Sequence, residues 1–179
     1  MSDADAAQPD PRTEMEARGW RVVYKSHDVM AKYNACYNVE YNGDRIAPPA
    51  ADDLGIPLGE VWVTEFLEPY EKYVLHHELA EIEARADGLG VEAAHERALE
   101  ADRAAWGDDD PGYQEFVTEI NLVPPGRVTA LPGCDEELFD AIKRNRPYCD
   151  IEELRAVPGV DDDRFDALSD AFWCFDCDL

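Results

Sequence analysis

Apolar and polar residues alternate in three short runs of the chain: residues 20–25 (WRVVYK), 33–41 (YNACYNVEY) and 60–65 (EVWVTE). Aromatic and β-branched residues at a period of two are the signature of half-buried strands, and Asn42-Gly43-Asp44 fits a tight turn after the second run. The period then changes. Tyr70, Tyr73, Val74, His77 and Glu81 follow one another at three- and four-residue spacing behind Pro69, which predicts a helix over residues 68–86 with proline in its first turn. Asp87-Gly88-Leu89-Gly90 breaks that helix, and a second is expected over 91–105 with Glu92, Glu96 and Glu100 on its polar side. The pair reads as a helical hairpin against a small antiparallel sheet. WGDDDPG, residues 106–112, has the Asp, Pro and Gly density of a linker.

Beyond the linker the chain repeats itself. Leu131-Pro132-Gly133-Cys134-Asp135 and Val157-Pro158-Gly159-Val160-Asp161 lie 26 residues apart, and Phe139-Asp140-Ala141-Ile142 is matched at the same offset by Phe165-Asp166-Ala167-Leu168. Each copy predicts a short helix, a hairpin in which glycine permits the close turn, and a second helix with the aspartate as N-cap. Between them, Arg146-Pro147-Tyr148 and Asp150-Ile151-Glu152-Glu153-Leu154 restart the helical pattern. The fold class expected is therefore α+β: residues 1–17 as a mobile acidic tail, 18–105 as a sheet with a helical hairpin, 113–173 as an all-α module of tandem hairpins, and 174–179 as a second tail.

Charge alters the picture only in its setting. Forty-one acidic residues against sixteen basic give a net charge of −25, spread along the chain as on a surface whose carboxylates are screened by very high salt. In this the composition resembles the acidic proteomes of salt-accumulating halophilic archaea, where acidity does not argue against a nucleic-acid partner. The first residues lack a basic and apolar leader, and no run reaches the roughly 18 apolar residues that span a bilayer, so a cytoplasmic protein without a membrane partner is expected. Five cysteines, an odd number, do not suggest a disulfide framework. Cys174-Phe175-Asp176-Cys177 has C-x-x-C spacing, read as a disordered tail or as a zinc half-site completed by a partner.

The two Pro-Gly hairpins, the lead-in Ile120-Asn121 and the Arg-Pro-Tyr and Ile-Glu-Glu-Leu connector resemble the helix-hairpin-helix domain of the ComEA type, which also occurs in the photosystem extrinsic protein PsbU. The resemblance implies sequence-independent binding of double-stranded DNA, with backbone amides at Gly133, Cys134, Gly159 and Val160 donating to phosphate oxygens. The basic cluster Lys143, Arg144 and Arg146 is its expected electrostatic support, extended by Arg127 and Arg155. The alternative is a module that binds protein or serves structure alone. Where the family carries a second glycine, this chain has Asp135 and Asp161, whose charge opposes a phosphate.

The first predicted helix holds the pattern H-E-x-x-E at His77, Glu78 and Glu81, and the second contributes His95. Residues four apart share a helical face, so His77 and Glu81 are candidate ligands of one zinc ion, His95 the third, and Glu78 a base toward a bound water. This resembles the active helix of zincin hydrolases, with Glu81 in place of a second histidine. It also resembles small archaeal and phage proteins that pair an H-E-L-x-E helix with a downstream A-H-x-x-A helix, here Ala94-His95-Glu96-Arg97-Ala98. His27 and Asp28 form a weaker group, read as a turn.

Overall fold

The computed structural model describes residues 9–177 and is mixed α and β, in two compact units: residues 9–30 with 35–107, and residues 31–34 with 108–177. Among the described residues, no helix is long and apolar enough to cross a membrane.

The first unit opens with α1 (Pro11–Ala17), where a mobile tail is expected. The helix forms because Asp10 caps it, accepting from the Thr13 amide at 3.1 Å, and Pro11 occupies the first turn, where its missing N–H costs nothing. It stays in place because Met15 is fully buried and Arg12 forms a two-pronged pair with Glu71, both contacts at 2.7 Å. Residues 1–8 of the expected tail lie outside the described residues.

Strands β1 (Arg21–Lys25), β2 (Ala35–Tyr41), β3 (Asp44–Ile46) and β4 (Glu60–Thr64) form a sheet of order β1-β4-β2-β3. A four-residue helical turn, α2 (His27–Met30), carries His27 and Asp28, and α3 (Pro49–Leu54) follows the hairpin. The hairpin turns through Asn42 and Gly43, both at positive φ, the tight-turn geometry that Asn-Gly favours. The sheet is mixed, however, and not antiparallel throughout: β1 pairs parallel to β4, with Val22 beside Val61 and Tyr24 beside Val63. The intervening chain makes the crossover that parallel pairing requires. It leaves β4 central, with all five of its residues buried.

The chain reaches the helical hairpin through a 3-10 turn at Glu65–Tyr70, which absorbs Pro69, so α4 (Glu71–Ala86) begins slightly later than its periodicity suggests. Helix α4 is buried on most of its circumference, through Tyr73, Val74, Leu75, Glu78, Leu79, Glu81, Ile82 and Ala84. Its partner α5 (Val91–Trp106) buries only Ala94, Ala98 and Asp102, a stripe of four-residue spacing whose two alanines let the helices approach closely.

In the second unit, α6 (Pro111–Val117) starts inside the expected linker, capped by Asp110. Helices α7 (Pro125–Thr129) and α8 (Glu136–Arg144) flank the first Pro-Gly turn. A 3-10 segment at Ile151–Ala156 and α9 (Asp162–Ala171) flank the second. Gly133 and Gly159 take φ of 74° and 91°, a left-handed conformation that costs a glycine little. Asp135 and Asp161 cap α8 and α9 by accepting the Leu138 and Arg164 amides, each at 2.9 Å. Ile120, Val128, Ile142, Leu154 and Leu168 form the fully buried centre.

Two further expectations change here. Residues 174–177 are not a loose tail: Trp173 pairs with Glu119 in a parallel bridge, the Phe175 amide donates to Glu119 Oε1 at 3.3 Å, and Cys177 is joined to Cys149 by a disulfide. An odd cysteine count weighs against a framework in which every thiol is paired. It does not weigh against one bridge where packing brings two cysteines together, and Cys36, Cys134 and Cys174 remain thiols. Residues 178–179 lie outside the described residues.

Candidate metal centre

Three of the predicted ligands meet in the first unit. His77 and Glu81 stand one turn apart on α4, and α5 supplies His95 from across the hairpin. His77 Nε2 is 3.1 Å from His95 Nδ1, His95 Nδ1 is 3.2 Å from Glu81 Oε2, and His77 Nε2 is 3.7 Å from the same oxygen. A tetrahedral zinc with bonds near 2.0–2.1 Å holds its donors about 3.3 Å apart, so the triangle already has the size of a zinc face.

The groups behind the triangle fix its orientation. Asp102 is 2% exposed; its Oδ2 lies 2.7 Å from His77 Nδ1 and its Oδ1 2.7 Å from His76 Nδ1. An ionised carboxylate only accepts, so both imidazoles donate from Nδ1, and His77 turns its Nε2 toward Glu81 and His95, where loss of the Nε2 proton would leave a lone pair for a metal. The Tyr37 hydroxyl of β2 donates to Glu81 Oε1 at 2.8 Å, leaving Oε2 to face the histidines. Carboxylate partners on the far nitrogen of a ligating histidine are what tune metal sites. His76 also packs edge-on against Trp106, with ring centroids 4.5 Å apart.

The charge balance favours a cation. Burial pushes the Asp102 carboxyl upward, but the bonds and charges of His76 and His77 outweigh it and hold Asp102 below its ordinary value. Glu81 behaves likewise, burial being overcome by His95, His77 and Tyr37. Burial works against the His77 imidazolium, yet Asp102, Glu78 and Glu81 raise it to about 9. Two carboxylates are thus kept ionised around one imidazole, an arrangement a divalent ion can also neutralise. Glu78 is pushed up to about 8, first by burial and then by the charge of Glu81. It is buried and is not part of the triangle, and its charge is felt by Cys36 and Tyr37 of β2. His95, by contrast, has a side chain 53% exposed, which leaves one side of the triangle open to solvent.

Asp102, Tyr37 and His76 do not announce themselves as site residues in the sequence. The available signal is the helical stripe Ala94, Ala98, Asp102: an aspartate in register with two small inward residues, seven positions after His95.

The candidate nucleic-acid residues of the second unit are placed differently from one another. Lys143 and Arg144 are exposed at the end of α8. Arg146 turns inward: its guanidinium donates to the Ile120 and Val123 carbonyls at 3.1 and 3.0 Å, and burial lowers its pKa to about 10. The Cys134 and Val160 amides donate within their own turns, to the Leu131 and Val157 carbonyls, each at 3.1 Å. The Gly133 and Gly159 carbonyls both accept from Arg164, at 2.8 and 2.6 Å, so one guanidinium ties the two hairpins together. Arg127 donates to Gln114, and Arg155 pairs with Glu152 while lying over the Phe165 ring. Compared with known protein families, characterised proteins and solved structures, the chain gives no match.

Proposed function

We propose that the first unit binds a zinc ion through His77 Nε2, Glu81 Oε2 and His95 Nδ1, and that the protein is a zinc-dependent hydrolase. The observation that carries the reading is the convergence of these three donor atoms, backed by Asp102 and Tyr37. Two imidazoles and one carboxylate form a donor set suited to zinc, and three protein ligands with an open side are the composition of catalytic sites, where structural sites are closed by four. When bound, zinc supplies a Lewis acid and lowers the pKa of water toward neutrality. Asp102 holds the His77 ring in register, Tyr37 holds Glu81, and Glu78, which lies outside the triangle but feels the charges of Glu81, His77 and Asp102, is the carboxyl to which proton exchange is assigned.

Elemental analysis of protein dialysed against zinc tests the reading directly. One equivalent is expected for the natural sequence and a loss for His77→Ala, with Glu78→Gln retaining the metal but losing hydrolysis of a panel of ester, amide and phosphoester substrates. Zinc content unaffected by His77→Ala removes the site; hydrolysis unaffected by Glu78→Gln removes the role given to Glu78.

A second reading concerns the other unit. The paired left-handed turns at Gly133 and Gly159, joined by Arg164, and the exposed Lys143 and Arg144 support a helix-hairpin-helix module that docks on the DNA backbone. Lys143→Glu with Arg144→Glu is expected to weaken retention of duplex DNA by ten-fold or more at moderate salt. Equal retention by the double variant and the natural sequence would leave these cations no part in binding.

A further inference from the structure

One group of reactive side chains is used neither by the metal reading nor by the hairpins. Cys149 and Cys177, 28 residues apart in sequence, are joined with their Cα atoms 5.1 Å apart. Cys174 is a thiol, half-buried at the same corner, and its Sγ lies 3.3 Å from the carbonyl oxygen of Tyr148, the residue that precedes Cys149. It is also three positions from Cys177, a spacing at which two cysteines close a disulfide through a local turn alone. We propose that Cys149, Cys174 and Cys177 form an intramolecular thiol–disulfide exchange site, in which Cys174 resolves the Cys149–Cys177 bond and frees the C-terminal segment.

The step balances without an added oxidant or reductant. Cys174 gives up its proton, and its thiolate attacks Cys177 Sγ. The Cys174–Cys177 bond forms as the Cys149–Cys177 bond breaks, and Cys149 leaves as a thiolate that takes up a proton. One disulfide and one thiol are present before and after.

The fold sets which isomer is held. The segment is docked by the Trp173 amide on the Thr118 carbonyl at 3.1 Å, the Ile120 amide on the Trp173 carbonyl at 2.8 Å, and the Phe175 amide on Glu119. While it is docked, Cys174 points at a carbonyl and burial raises its thiol to about 12, so little thiolate is present to attack. A bridge across a long loop stabilises the docked unit by restricting the unfolded chain, and a C-x-x-C bridge does so far less. Docking therefore favours Cys149–Cys177. Lifting the segment exposes Cys174 to water, removes the advantage of the long-range bridge and shifts the balance toward Cys174–Cys177.

Disulfide mapping tests this. The full chain is held at pH 7 to 9.5 in increasing sub-denaturing urea, quenched in acid, alkylated with N-ethylmaleimide and digested without reduction for mass spectrometry. At pH 7 without urea the Cys149–Cys177 peptide is expected, with label on Cys174. As urea and pH rise, a Cys174–Cys177 peptide and labelled Cys149 are expected together, in equal amounts, independent of protein concentration and reversible on dilution. Cys174→Ser should keep Cys149–Cys177 throughout, and circular dichroism reports whether that variant is folded. Cys174→Ala is the replacement if it is not. The proposal is overturned if Cys149–Cys177 stays complete under conditions where a short pulse of N-ethylmaleimide labels Cys174 rapidly. It is overturned equally if the starting protein carries label on both Cys149 and Cys177, or if the new linkage forms between chains.

Discussion

Asp102 organises the candidate centre by accepting from two neighbouring imidazoles, His76 and His77, with one oxygen each. Asp102→Asn keeps the volume but presents an NH2 to one Nδ1–H, so one ring must turn or change tautomer. Loss of such a partner costs ten- to a hundred-fold in metal affinity in characterised sites, and zinc competition against a chromophoric chelator should register a drop of that size. Unchanged affinity would mean that the two histidines are held by packing alone. His77 and Glu81 are legible in the sequence because four-residue spacing on a helix is local, and His95 because the Gly88-Leu89-Gly90 break folds α5 back on α4. Asp102 is not, because in a chain with forty-one acidic residues one more aspartate on a charged helix reads as solvated surface. Only its register with Ala94 and Ala98 separates it. A second residue-scale consequence concerns Arg12, whose bonds with Glu71 hold that carboxyl below its ordinary value of 4.5 against the opposing effect of burial. A depressed carboxyl stabilises the fold above its unfolded pKa, and that contribution is lost as pH falls through the folded value. Arg12→Met should therefore be less stable than the natural sequence at neutral pH, and the difference between their urea midpoints should shrink as pH falls below about 4.5. An unchanged pH profile in Arg12→Met would show that Glu71 gains nothing from the pair.

At the scale of elements, the repeat makes the second unit readable, because a duplicated glycine turn and aspartate specify the same local geometry twice. What the repeat does not reveal is how fully those groups are already engaged. Asp135 and Asp161 spend their side chains on the N-terminal amides of α8 and α9, and each cap is worth about 1 kcal/mol. Asp161→Ala should lower unfolding free energy by that amount, whereas Asp161→Ser should lose little because a hydroxyl also caps. The serine exchange also separates capping from charge: if the hairpins meet phosphate, Asp135→Ser with Asp161→Ser should tighten retention of duplex DNA while leaving the urea midpoint nearly fixed. Tightening without a stability change supports a phosphate-facing turn, and no change in retention argues that DNA is not met there. Helix α1 and the parallel pairing of β1 with β4 escaped the sequence for a different reason. The apolar content of α1 is essentially Met15, too little to mark a helix by periodicity, and its place is set by distant partners such as Glu71. Strand direction is likewise a property of the crossover and not of the strand's own residues. The Cys149–Cys177 bridge belongs with these, since the pairing of cysteines depends on where the C-terminal segment docks.

The whole molecule carries a net charge of −25 on 179 residues, and local pairs neutralise only part of it. Several cations serve single carboxylates, as Arg21 does Glu60 and Arg45 does Asp52, while Arg146 and Arg164 are spent on backbone carbonyls. The remaining carboxylates repel one another more strongly in the compact state than in an expanded chain, so the fold bears a penalty that depends on screening. The Debye length shortens from about 10 Å at 0.1 M salt to about 3 Å at 1 M, which spans the distance between neighbouring surface charges. The urea midpoint should therefore rise steeply with potassium chloride up to about 1 M and flatten beyond. Potassium chloride is the appropriate salt because strongly excluded anions such as sulfate stabilise folds by a separate route, and a neutral osmolyte at matched osmolality should not reproduce the steep part. A midpoint that is flat between 0.1 and 1 M would show that the carboxylates are already too far apart, or too well paired, to oppose folding. If the rise is found, the same salt also weakens any long-range attraction between Lys143, Arg144 and phosphate. DNA binding surviving at 1 M would then have to come from short-range contacts at the hairpins, and the gain from the serine variants of Asp135 and Asp161, being a relieved charge repulsion, should shrink as salt rises.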